Sequence, residues 1–94
     1  MDIINNLATN LKICRELIKK QDLPWQYPAI DISGCEYVFF RWYRRHKRLN
    51  IIIHDKHIQC AKVDHNKSNT IFNHEIASLN DEFIRLWKWL YQED

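Results

Sequence analysis

One glycine and two prolines in 94 residues leave the chain few places to bend sharply. With a single glycine there is no phosphate-cradling loop and little backbone freedom for a strained nucleophile elbow. Cysteine is equally sparse. Cys14, Cys35 and Cys60 cannot all pair with one another and show no CxxC spacing, which excludes a disulfide framework and argues against a redox or zinc motif. No unbroken apolar run reaches the roughly 20 residues of a membrane span, and MDIINNLATNLKICRELIKK alternates apolar and polar residues at helical spacing. Neither a signal peptide nor a membrane helix is expected, and the thiols suit a reduced, cytoplasmic setting. Acidic residues are missing altogether from Arg41 to Arg48.

What is present is a normal globular composition, 46% apolar and 28% charged, which makes disorder a poor reading, and a length of 94 residues that leaves room for one domain, residues 1–94. Four Trp, four Tyr and four Phe give a core of this size a large buried area per residue. The net charge of +2 conceals an asymmetry. The octet RWYRRHKR carries five cations and no anion, while the chain on either side of it is slightly acidic.

Ile4, Leu7, Leu11, Cys14 and Ile18, with Ile3 and Leu17 beside them, recur every three or four residues and predict a helix from Asp2 to about Lys20. Lys19 and Lys20 suit its C-terminal dipole, and Leu23-Pro24 stops it. PWQYPAIDISG then implies an irregular segment, a short strand near Ala29 to Ile32 and a turn at Ser33-Gly34.

The middle of the chain can be registered by arithmetic. A four-residue loop, Arg44 to Lys47, sets Tyr43 opposite Arg48, Trp42 opposite Leu49, Phe40 opposite Ile51 and Val38 opposite Ile53. A second turn at Asp55-Lys56 sets His54 opposite His57, Ile53 opposite Ile58 and Ile51 opposite Cys60. Both turns produce the same apolar face: Val38, Phe40, Trp42, Leu49, Ile51, Ile53, Ile58 and Cys60. The other face gathers Tyr37, Phe39, Arg41, Tyr43, Arg48, Asn50, Ile52, His54, His57 and Gln59, too aromatic for an ordinary solvated surface, so something in this chain or in a partner covers it.

DHNKSN reads as a loop before a short strand from Thr70 to Asn73. Ser78 with Asp81 three residues on matches a capping box, and Phe83, Leu86, Trp87 and Leu90 form the inward stripe of a final helix. The expected architecture is therefore α+β: an N-terminal helix, an antiparallel meander of about four strands, and a C-terminal helix packed on the sheet.

YPAI, Gly34, VFFRW and LNIII, in that order, resemble a group of small bacterial proteins of uncharacterised activity. Their shared pattern is a proline-led short strand, a glycine turn, a strand ending in Trp and an alternating strand behind it. The match covers about residues 27–60 and consists of core positions. It implies the antiparallel meander and carries over no functional residue. The group usually has a short acidic or neutral turn where this chain has RRHK.

Four constellations bear on chemistry. Arg44, Arg45, His46, Lys47 and Arg48 at one hairpin tip, with Tyr43 or Trp42 as a stacking face, could hold a phosphate backbone or an acidic protein surface; a solvated turn that guards a sheet edge is the plainer reading. His54, His57 and Cys60 suggest zinc, yet the register points Cys60 into the core and the histidines outward, so no metal is expected. Cys14 and Cys60 fall on buried faces and only Cys35 on an open one. The carboxylates, Asp81 and Glu82 at a helix start and Glu93-Asp94 at a chain end, form no acid–base pair, so no catalytic residue and no cofactor is expected. Trp89 lies about 200° around the last helix from Trp87, which makes it either a contact residue or a packing residue against the first helix or PWQYP.

Together these point to a small non-enzymatic binding protein that inhibits or masks a larger macromolecule. Its expected contact residues are Arg41, Tyr43, Arg44, Arg45, His46, Lys47, Arg48, Tyr37, Phe39 and Trp89. Size and build are those of phage and mobile-element inhibitors, such as anti-CRISPR proteins, or of immunity proteins. The partner is expected to be a protein with an acidic or mixed surface, with no membrane involved and the chain itself a monomer or homodimer. A nucleic-acid-binding module using the basic hairpin Arg41 to Arg48 is the alternative.

Overall fold

The computed structural model describes residues 3–34, 36–54, 57–66, 70–76 and 79–92. Helix α1 (Ile3–Lys20) is followed by strands β1 (Ala29–Ser33), β2 (Tyr37–Arg44), β3 (Lys47–His54), β4 (His57–Asp64) and β5 (Thr70–Ile76), and then by helix α2 (Asp81–Tyr91). The strands form one five-stranded antiparallel sheet in chain order. This is the expected α+β meander, with the segment at Ala29 and the one at Thr70 both joining the sheet.

The register is the one the alternation dictates. Trp42 pairs with Leu49, Phe40 with Ile51 and Val38 with Ile53. Ile51 pairs with Cys60, Ile53 with Ile58 and His54 with His57. These apolar residues share one face of the sheet, and both helices lie on that face. Cys14 and Ile18 of α1 and Phe83, Leu86, Trp87 and Leu90 of α2 join them in a single buried cluster.

α1 ends by its own chemistry rather than at the proline. Asp22 adopts a left-handed φ of 56°, its N–H donates to the Lys19 carbonyl at 3.1 Å, and the Leu23 N–H donates to the Ile18 carbonyl at 3.3 Å. That is a Schellman ending formed by a residue other than glycine. α2 begins one residue after Asn80, whose side chain accepts from the Glu82 N–H at 3.0 Å. Asn80 rather than Ser78 is therefore its N-cap, because a carboxamide oxygen directly before the helix reaches the orphan N–H groups. Ser78 lies outside the described residues, as do Cys35 and the Asp55-Lys56 turn.

The segment between α1 and β1 closes the core. Its carbonyls accept from two buried indoles, Trp42 Nε1 to Gln26 at 2.8 Å and Trp87 Nε1 to Pro24 at 3.0 Å, while a third, Trp25 Nε1, is buried with no hydrogen-bond partner among the described residues. Trp25 stacks on Trp87 at 5.4 Å between ring centroids, and Trp87 meets Trp42 edge-on at 5.3 Å. A segment that is irregular because of its prolines thus receives hydrogen bonds that a regular strand would have used in its own ladder.

Candidate docking face

The octet RWYRRHKR occupies the β2–β3 hairpin. Its turn is one pair tighter than the four-residue loop of the sequence reading, because Arg44 pairs with Lys47 and only Arg45 and His46 form the bend. Arg45 has φ 56° and His46 has no positive φ, the pattern of a two-residue II′ hairpin turn whose first position normally takes glycine. The His46 carbonyl accepts from the His65 N–H at 2.9 Å, and His46 Nε2 lies 3.5 Å from Asp64 Oδ1, so the β4–β5 connection braces the tip.

The extra pair changes where the charges point. Side chains alternate along a strand, so Arg44 and Lys47 fall on the face of Trp42 and Leu49. The Arg44 guanidinium sits 4.5 Å from the centroid of the Tyr91 ring on α2. Burial pushes the Tyr91 phenol above its ordinary pKa, with Arg44 pulling it partly back. Lys47 is only 3% exposed, and its Nζ donates to the carbonyls of Trp89 at 2.9 Å and Gln92 at 2.7 Å. Lys47 was expected at a solvated tip; it is instead a buried cap on the C-terminal end of α2, sharing the Trp89 carbonyl with the Gln92 N–H, which donates to it at 3.2 Å.

Trp89 belongs to the same side of the molecule. It is half-buried, packs on the core, and is flanked by the ammonium groups of Lys47 at 5.2 Å and Lys62 at 5.3 Å. The ten expected contact residues therefore divide. Arg44, Lys47 and Trp89 turn to the helix side, His46 and Arg45 make the bend, and Tyr37, Phe39, Arg41, Tyr43 and Arg48 stand on the opposite face.

That opposite face is left bare by the helices. Tyr43 is 55% and Tyr37 37% exposed, and Phe39, Arg41, Arg48, Asn50, Ile52 and His54 are half-buried among their neighbours. The rings are already arranged against one another. Tyr37 stacks on His54 at 4.5 Å and on Phe39 at 6.2 Å, and the Arg41 guanidinium lies 5.4 Å from the Phe39 centroid. Arg41 also faces Asp31 of β1 at 3.8 Å, and His57 is hydrogen-bonded to Glu75 at 2.9 Å. At one end Tyr37, Ile52, His54, His57, Gln59 and Glu75 enclose a recess of about 280 Å³. Near the centre Arg48 Nε and Asn50 Oδ1 are buried without a hydrogen-bond partner among the described residues.

The other candidate groups are placed away from this face. Cys60 lies in the core, on the side of the sheet opposite His54 and His57. Burial pushes its thiol up to about 12, with Glu82 adding to the rise, and raises the thiol of Cys14 further still, with Cys60 contributing. Neither is an accessible nucleophile. No group of three metal-ligating side chains occurs among the described residues, and no helix among them is long and apolar enough to cross a membrane.

A second charged surface escaped the sequence reading. Lys12, Arg15, Lys19 and Lys20 border one open depression of about 540 Å³ on α1, with Glu16 the one anion among the described residues that line it. The slightly acidic balance of the chain before the octet hid these cations, because Asp22, Asp31 and Glu36 count against them without lining the depression. The cations' helical spacing within nine residues was the available signal.

Comparison of the chain with protein-family models, with curated proteins and with solved structures finds no match.

Proposed function

We propose that this protein is a non-enzymatic binding protein that lays its open sheet face on a larger protein and masks the surface beneath. The observation that carries this reading is the bare face itself: Tyr37, Phe39, Tyr43 and Ile52 side by side, with Arg41 and Arg48 among them, on the side of the sheet that neither helix covers. Tyrosine and arginine are the residue types that most often anchor protein interfaces, and rings already stacked on one another lose little rotamer freedom on docking.

The charges favour a protein over a phosphate backbone as occupant. Of the five cations of the octet, only Arg41 and Arg48 stand on this face, where Asp31 and Glu75 offset them. A mixed face with an aromatic centre suits a partner that offers apolar contacts in the middle and carboxylates towards Arg48. The hairpin reading for nucleic acid needed all five cations to act together, and Arg44 and Lys47 are engaged on α2. A compact cofactor-free inhibitor or immunity protein, which acts by stoichiometric occupation, is the biological type this build suits, by analogy of size.

The test is quantitative capture from cells that carry the gene, followed by binding measurements with the purified partner. Tyr37→Ala/Phe39→Ala/Tyr43→Ala and Arg41→Glu/Arg48→Glu should each weaken binding at least tenfold, and Arg44→Gln should leave it unchanged. Binding should persist at 0.5 M salt. Equal capture by all variants would remove the face from consideration, and concentration-dependent dimerisation lost in the triple variant would make a second copy of the chain its occupant.

A further inference from the structure

We infer that the outer face of α1 is a second, independent contact surface, a non-specific grip for the phosphate backbone of a nucleic acid. Lys12, Arg15 and Lys19 fall within about 60° of one another around a helix that advances about 100° per residue, and Lys20 borders the same depression from the far side. The buried positions Cys14 and Ile18 lie about 130° and 90° around α1 from the middle of that stripe, so the cations flank the core-facing side without entering it. All four are exposed, and none has an ion-pair partner among the described residues.

A helix face that served only to hold water would mix its signs. Glu16 stands four residues from both Lys12 and Lys20, the spacing at which an ion pair adds about 0.2–0.5 kcal/mol to a helix, yet it forms one with neither. Arg15 and Lys19, however, are like charges four residues apart, and Lys12 and Arg15 three apart, which costs a similar amount and is relieved by a polyanion. The helix dipole accounts for Lys19 and Lys20 in the last turn but not for Lys12 and Arg15.

The chemistry of the lining selects the occupant. Lys12, Arg15, Glu16, Lys19 and Lys20 include no aromatic or large apolar side chain, so the depression lacks the buried anchor a protein partner needs and the apolar face a membrane-inserting helix needs. A phosphate backbone requires only spaced positive charge. This surface lies on the helix side of the molecule, away from Tyr37, Phe39 and Tyr43, so the two sites can be occupied together and can fail separately.

The experiment is fluorescence anisotropy of a labelled 20-base-pair DNA duplex titrated with the full chain. Three phosphate contacts predict a slope of log K against log salt of about −2.7, which is about a 40-fold loss between 50 and 200 mM salt. Lys12→Glu/Arg15→Glu/Lys19→Glu should abolish binding at 50 mM salt, and Lys12→Gln/Arg15→Gln/Lys19→Gln should weaken it at least tenfold with helical circular dichroism intact. Tyr37→Ala/Phe39→Ala/Tyr43→Ala should bind the duplex as the wild type does. The inference is overturned if the duplex does not bind at 50 mM salt, or if the α1 variants bind it undiminished. It is equally overturned if polyglutamate or phosphatidylserine vesicles bind this face more tightly than the duplex, which would make the occupant an acidic protein or a lipid surface.

Discussion

The Lys47 ammonium donates to the Trp89 carbonyl at 2.9 Å, tying the first residue of β3 to the last turn of α2 across 42 positions of sequence. Its second bond, to the Gln92 carbonyl at 2.7 Å, satisfies the helix end that the chain leaves open. A charged side chain in the core is tolerated there because the C-terminal carbonyls of a helix carry the complementary partial charge.

Lys47→Met keeps the length and removes both bonds. It should cost about 1–3 kcal/mol in urea denaturation, since two hydrogen bonds from a charged donor are lost. Partner capture should be unchanged once the variant is folded. A stability equal to wild type would show that Lys47 does not hold α2.

Arg45 and Asp22 occupy left-handed backbone positions. Glycine relieves the steric cost of a side chain there, so Arg45→Gly and Asp22→Gly should each raise stability by up to about 1 kcal/mol, less the entropy that glycine adds to the unfolded chain. Alanine at either position should give no comparable gain. Thermal or chemical denaturation of the four variants checks the sign.

The buried thiols predict a loss of stability at high pH. Both native pKa values are raised, that of Cys60 to about 12 from an ordinary 9, so the neutral thiol is favoured in the fold. Their contribution is complete below pH 9 and declines as pH rises from 9 towards 12, because the unfolded chain releases protons that the native one keeps. Each thiol should remove about 1.4 kcal/mol per pH unit in that range. Unfolding measured at pH 8, 9 and 10 should show a shallower decline in Cys60→Val than in the wild type; identical slopes would contradict the burial argument.

Trp42→Phe removes the donor to the Gln26 carbonyl and part of a fully buried ring. The expected loss is about 1–3 kcal/mol, from the lost hydrogen bond and the space left behind. Trp87→Phe should act similarly through Pro24. If either change is silent in equilibrium unfolding, the segment between α1 and β1 does not close the core.

Much of the fold was legible because period and parity are local properties. Trp42 opposite Leu49 and Ile51 opposite Cys60 follow from alternation and turn position alone, and the stripes of α1 and α2 follow from helical spacing, except that Ile4 is exposed and Ile3 packs on the core in its place. The candidate face was legible for the same reason, since Tyr37, Phe39, Arg41 and Tyr43 share one parity on β2. What misled was the length of one turn. Counting Arg44 and Lys47 into the loop left both at the rim, whereas pairing them commits both to the helix side.

The order of residues thus determined which side chains share a face, through the two-residue repeat of a strand and the 3.6-residue repeat of a helix. That a helix would lie on the apolar face was legible, but that both would choose it was decided only when α1, α2 and the sheet packed together. Burying the apolar side of the sheet under both leaves Tyr37 and Tyr43 on a face that neither helix covers. The fate of each cation was settled by the same packing: charge is a property of the residue, but whether a guanidinium meets solvent, a ring or a helix end depends on what the fold brings beside it.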